Sequence, residues 1–232
     1  MKCPNCNSNN EQGSNFCRVC GTRLIDYDEI RQEPILEGRV LPHNWSRPDP
    51  FGTPPYGVEA IDLGLPSGIR WASCNVGATS PEEYGGLFAW GETEERTTCD
   101  WSLYSQCGGD ENKCYDLGRD IGGTKYDVAH LRWGGNWRIP TSEQFEELHE
   151  HCTYEWTTLR GIEGGRLIGP NGNSIFLPRR PQHRGNNYWL SEPIDTFSAQ
   201  SFLVGKEGAL CLWEVLYDRC SLMHVRPVMS TL

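Results

Sequence analysis

No apolar run in this sequence approaches the ~18 residues that carry a helix across a membrane, so no helical membrane span is expected. The start, Met1-Lys2-Cys3-Pro4, has no apolar segment of the secretory kind, and the expected compartment is the cytoplasm. Basic residues are in deficit: 21 Lys and Arg stand against 31 Asp and Glu, a formal net charge of −10. A protein that mainly grips a nucleic-acid backbone needs a basic face, so nucleic acid is not the expected partner. Internal repeats and homopolymeric tracts are lacking too.

What is present is turn-forming and aromatic. The 232 residues include 26 Gly and 15 Pro, which favour short elements joined by turns. Nine Trp and nine Tyr supply large buried areas around which a loop-rich domain can build a core. At about 150 residues per domain, the length allows one large domain and a small module. The 11 Cys, in a reducing compartment, read as metal ligands or buried thiols rather than disulfides.

Composition divides the chain into three parts. Residues 1–24 are rich in Cys and Asn and too poor in apolar residues for a core. Residues 25–57 hold Pro34, Pro42, Pro48, Pro50, Pro54 and Pro55, the pattern of an extended tether. Residues 58–232 carry strand-like runs, tryptophans and glycine turns. One helix is predicted from Thr141, an N-cap with Gln144 completing a capping box, and its inner face is Phe145, Leu148 and Cys152. A weaker helix is predicted over Tyr126–Arg132. Strands are predicted at 57–63, 69–72, 165–168, 174–177, 187–190, 199–204, 210–215 and 224–228. The turn Gly169-Pro170-Asn171-Gly172-Asn173 joins two of them. The expected class is α+β, with few helices and many short antiparallel strands.

Cys3-x2-Cys6 and Cys17-x2-Cys20, ten residues apart, form a ligand set for one tetrahedral zinc ion. Four thiolates leave no open position, so the metal is expected to be structural. The run resembles the small zinc-ribbon family. Lys2, Arg18 and Arg23 against Glu11 give these residues a charge of only +2 (3 − 1), too little for strong phosphate binding. A docking or structural role fits better.

Three blocks lie further on: Ala60–Ala78, Tyr84–Glu92 and Trp133–Thr141. With Gly169–Pro178 and the closing Val225-Arg226-Pro227-Val228, they resemble the Fibrobacter succinogenes major paralogous domain. The resemblance covers roughly residues 58–229. It implies a C-type-lectin-like fold of small antiparallel sheets, two helices and long loops. Trp133-Gly134-Gly135-Asn136-Trp137 reads as core-building, and Arg138 as an internal anchor for carbonyls. Residues 188–225 keep a frame of Tyr188, Trp189, Ser191, Ala199, Arg219 and Val225. Between these lie mixed residues, among them Leu190, Glu192, Ile194, Asp195, Phe197, Lys206, Leu212, Trp213, Glu214, Tyr217 and Asp218. This resembles the variable region of proteins diversified by retroelements, which implies a displayed ligand-binding face for a protein or other macromolecule. Ordinary core and surface residues at these positions are the other reading, and the sequence leaves both open.

Rival chemistries leave weaker traces. The formylglycine-generating branch of the fold uses a late pair of redox cysteines. Here Cys211 and Cys220 are the late pair, in surroundings that do not match. His149 and His151, two apart on a helix, do not face one way. Ser191-Glu192-Pro193-Ile194-Asp195 has too few oxygens for calcium, so none is expected. Cys74 and Cys152 read as core. Cys99, Cys107 and Cys114 lie in a Gly-rich loop whose spacing fits no ribbon, with a second metal site there as an open alternative. Arg179, Arg180, His183 and Arg184 read as a solvated loop. A structural component docked by its ribbon is a third functional reading. Elemental analysis of the purified chain should find one zinc per molecule, and Cys3→Ser with Cys6→Ser should remove it; zinc retained by that variant would contradict the ligand set.

Overall fold

The computed structural model describes residues 8–9, 57–110, 113–181, 187–206 and 210–230, the last without the side chains of residues 210–216. The chain divides into two compact units, Met1–Asn44 and Trp45–Leu232. All regular elements described here belong to the second.

Among the described residues, ten strands make three antiparallel sheets. The first has the order β1 (Ala60–Asp62), β2 (Arg70–Ala72), β10 (Val228–Met229), β3 (Trp137–Arg138). Its short strands come from distant parts of the sequence: Val228 faces Trp71 on one side and Arg138 on the other. The second is the meander β4 (Thr153–Leu159), β5 (Ile162–Ile168), β6 (Ser174–Pro178), and the third is β7 (Asn187–Pro193), β8 (Ser198–Val204), β9 (Leu210–Asp218). Among the described residues, two α-helices complete the class, α1 (Val128–Trp133) and α2 (Ser142–His151). The α+β expectation holds.

Local signals explain most elements. The Thr141 hydroxyl accepts from Gln144 N, and the Gln144 side chain accepts from Thr141 N, so both halves of the capping box form. Phe145 and Leu148 are buried and Cys152 packs beside them, as the helical spacing required. The turn between β5 and β6 closes through Gly169 N to Asn173 O, 2.8 Å, with Gly172 at φ +84°. Gly169 has a second reason to be glycine: a Cβ there would lie 2.0 Å from Leu63 O. Asn171 and Asn173 both donate to Asp62 O and tie this hairpin to β1.

Strand β4 was not expected. Its Thr, Tyr and Trp content is a strand signal, and Arg160-Gly161, both at positive φ, make a two-residue hairpin turn into β5. The strand expected at 224–228 shrinks to Val228–Met229, and His224 makes only a bridge to Tyr188. Asp127, fully buried, caps α1 through Ala129 N and His130 N and also accepts from Gly123 N and Ile139 N. Burial pushes its pKa up, against those backbone donors.

The internal anchor is Arg226, not Arg138. Arg138 is half-buried with Asp120 4.0 Å away. Arg226 is fully buried, and its fork donates to Asn75 Oδ1 at 2.8 Å, Ala72 O at 2.9 Å and Phe176 O at 2.8 Å. Tyr188, adjoining it, donates to Pro178 O. One guanidinium therefore joins the first and second sheets beside the start of the third. Arg226→Met orphans these acceptors, at about 1–3 kcal/mol each, partly offset by relief of the buried charge. The expected net loss is about 3 kcal/mol, a fall of roughly 6–12 °C in Tm by thermal unfolding. An unchanged Tm would mean that the hydrogen bonds only offset the cost of burying the cation.

Candidate functional site

The end of the third sheet where β7 turns into β8 is organised by Arg219. This side chain is 2% exposed, and its guanidinium lies 4.5 Å over the Trp90 ring. Nη2 donates to Asp195 O at 2.6 Å and Nη1 to Tyr115 O at 3.1 Å. The backbone N–H of Arg219 donates to Phe197 O at 2.8 Å. One residue thus sets the β7–β8 turn beside the loop that carries Tyr115. Asp195 Oδ1 accepts from Phe197 N and Ser198 N, which fixes the turn itself.

A second set of bonds holds the neighbouring loop. Glu92, 6% exposed, accepts from Arg96 and from both the backbone and hydroxyl of Ser105. Arg96 also donates to Leu103 O. Asp100 caps the helical turn Trp101–Leu103 by accepting from Ser102 N, and the Ser102 hydroxyl, then its N–H, hold the Asp100 carboxyl below its usual pKa. Tyr104, buried, donates to Trp90 O at 2.6 Å, and burial pushes its pKa up.

Among the described residues, the large apolar side chains left exposed are Leu103, Tyr115, Ile194 and Phe197, at 55, 57, 40 and 39%. They belong to the two segments that Arg219 and Arg96 pin. Phe197 meets the half-buried Trp101 edge-on at 6.4 Å.

The ten residues expected on a ligand-binding face divide. Leu190 is a correction: it is fully buried among Tyr188, Phe202, Val204 and Phe145, because β7 runs through the interior on both faces. Its carbonyl accepts from Trp90 Nε1, while Trp189 Nε1 donates to Phe88 O. Glu192 accepts from Ser142 N at 2.6 Å and so serves the start of α2. Tyr217 is half-buried against the core. Asp195, Phe197 and Asp218 are exposed at one end of the sheet, with Asp218 opposite Ser198. Lys206 is exposed at the other end, 4.0 Å from Glu163. Leu212, Trp213 and Glu214 lie on β9, with Leu212 opposite Phe202 and Trp213 opposite Ser201; their side chains are outside the described residues. Trp101, Leu103 and Tyr115 were missed. The only signal was an aromatic excess in a loop without periodicity.

Other candidates resolve differently. Cys107 and Cys114 form a disulfide, a correction to the expectation of thiols: Tyr115 N donates to Gln106 O, and this folds the loop back on itself. Cys74 is buried as expected. Cys211 pairs with Leu203, whereas Cys220 lies beyond the far end of β9. At ~3.3 Å per strand residue, more than about 20 Å separates that late pair. Arg179 lies over Trp156 and Arg180 over Tyr84, so these two are packed on rings rather than simply solvated; His183 and Arg184 are outside the described residues. A shallow hollow of about 200 Å³ is lined by Tyr84, Gly161, Ile162, Glu163, Arg179 and Pro181, smaller than the roughly 300–1,000 Å³ of ordinary ligand pockets. No group of three or more His, Cys, Asp or Glu among the described residues is placed to hold a metal. No helix of the described residues is long and apolar enough to cross a membrane.

Residues 2–24 match the zinc-ribbon domain family, so the chain carries a zinc ribbon at its N-terminus. No curated protein and no solved structure matches the chain. Cys3, Cys6, Cys17 and Cys20 all fall within the matched segment and outside the described residues.

The division between frame and surface is measurable. Leu190→Ala should cost about 2–5 kcal/mol in urea unfolding, whereas Phe197→Ser should stay within about 0.5 kcal/mol of the parent. Equal losses would place Phe197 in the core.

Proposed function

We propose that this chain is a non-enzymatic binding protein of the Fibrobacter succinogenes major paralogous kind. Its domain over residues 58–232 is C-type-lectin-like and displays a C-terminal face to a protein ligand. The tether 25–57 joins it to the ribbon, whose Cys3, Cys6, Cys17 and Cys20 hold one structural zinc and which serves for docking. The proposed setting is the cytoplasm, without calcium and without nucleic acid as partner.

The observation that carries this reading is the exposure of Leu103, Tyr115, Ile194 and Phe197 on segments pinned by Arg96 and by the buried Arg219. The frame residues Tyr188, Trp189 and Ala199 are buried while Ile194, Asp195 and Phe197 between them are exposed. A retroelement-diversified region needs that division, since its changes must not reach the core. Against the enzyme alternative, a formylglycine-generating-like oxidoreductase, stands the separation of Cys211 from Cys220 along β9.

Resequencing the gene from many independent isolates tests the proposal. Changes should concentrate at Ile194, Phe197, Asp218 and the 212–217 stretch, with Trp189, Leu190, Arg219 and Arg226 constant. An even spread, or a segment as constant as Trp133–Thr141, would contradict diversification.

A further inference from the structure

One chemical grouping plays no part in the frame or the displayed face. Cys99 is exposed, Cys220 is buried, and their sulfur atoms lie 3.4 Å apart across 121 residues of sequence. The fold, not local chain geometry, makes this pair. Cys220 sits in the turn that leaves β9, where Ser221 N donates to Asp218 O and the preceding Arg219 N donates to Phe197 O. Cys99 precedes Asp100, the cap of the Trp101–Leu103 turn. Cys220 packs with Ala89, Tyr104 and Cys107 in a small buried cluster flanked by Cys114, so the pair stands beside an existing bridge.

We propose that Cys99 and Cys220 are a redox pair that closes to a second disulfide by exchange with a low-molecular-weight disulfide of the glutathione class. A disulfide needs its sulfurs about 2.05 Å apart, so closure asks for an approach of only about 1.4 Å. Cys99 meets the oxidant first because it is exposed. Its thiolate attacks one sulfur of the small disulfide, forms a mixed disulfide and expels one small thiolate, which takes up the proton that Cys99 lost. Cys220 then attacks the Cys99 sulfur and expels the second small thiol, to which its own proton passes. The small disulfide is reduced to two thiols, and the cysteine pair is oxidised. The order of attack has a second support: burial, with Cys99 adding to it, pushes the Cys220 thiol up to about 12. Cys220 is therefore the resolving sulfur.

The new bridge would fasten the turn bearing Trp101 and Leu103 to the strand end bearing Arg219. It closes a long loop, which restricts the unfolded chain, so the oxidised form should melt higher than the reduced one.

The test uses the full chain, treated with oxidised glutathione, alkylated, and mapped without reduction by mass spectrometry, with zinc counted in parallel. The expected result is a Cys99–Cys220 cross-linked peptide in most molecules, reversed by dithiothreitol. Cys220→Ser should accumulate an unresolved mixed disulfide at Cys99, and Cys99→Ser should leave Cys220 unmodified. Absence of the cross-link in the parent chain, whether Cys99 stays free or stops at the mixed disulfide, overturns the proposal. So does a second zinc per chain with Cys99, Cys107, Cys114 and Cys220 shielded from alkylation until a chelator is added, since those sulfurs would then be metal ligands.

Discussion

Arg226 stands at the junction on which the larger unit depends. Its guanidinium is fully removed from water, and among the described residues no carboxylate pairs with it. Instead it meets an amide oxygen and two carbonyls, one before the first long loop and one on β6. Burying a cation is costly unless its donors are satisfied, and burial indeed pulls the Arg226 pKa down. Satisfying the fork requires Ala72, Asn75 and Phe176 to arrive together, so the cation acts as a coincidence requirement for two sheets. Strands of two or three residues gain little by themselves. The first sheet, built of such strands, relies on this junction and on the buried indoles of its own Trp71 and Trp137.

Arg219 applies the same chemistry nearer the surface. It is buried, stacked on Trp90, and spends two of its donors on carbonyls of separate loops. The Asp195 carboxylate fixes its own turn through Phe197 N and Ser198 N, but because the Arg219 bonds go to backbone oxygens, the side chain of Tyr115 stays outside them. The same holds for Phe197, whose carbonyl, not its ring, accepts from Arg219 N. Anchoring through the main chain leaves the displayed side chains exchangeable, which is the physical basis for reading this end of the sheet as a binding face.

Much of this was legible in the sequence where the signal is local. The capping box at Thr141 and Gln144 and the Asn-Gly turn after β5 each encode their structure within a few residues, and the paired C-x2-C spacing marks the zinc-ribbon family that residues 2–24 match. Strand β4 carried a readable Thr, Tyr and Trp pattern that was overlooked. Leu190 was not legible, because one strand position looks alike whether its face meets solvent or Phe145 and Phe202. Arg138 and Arg226 are equally plausible anchors in sequence; only the fold brings three acceptors to one of them. The patch residues Trp101, Leu103 and Tyr115 come from a loop with no periodicity, and Cys99 meets Cys220 across most of the domain. Such non-local pairings have no sequence signature.

The central claim is that a frame centred on Arg226 and Arg219 carries an exchangeable surface. A deep mutational scan of folding stability over residues 187–230 tests it most directly. Tolerance should be broad at Ile194, Phe197 and Asp218 and nearly absent at Tyr188, Leu190, Arg219 and Arg226. If Ile194 and Phe197 prove as intolerant as Leu190, surface and frame are one structure and the account fails.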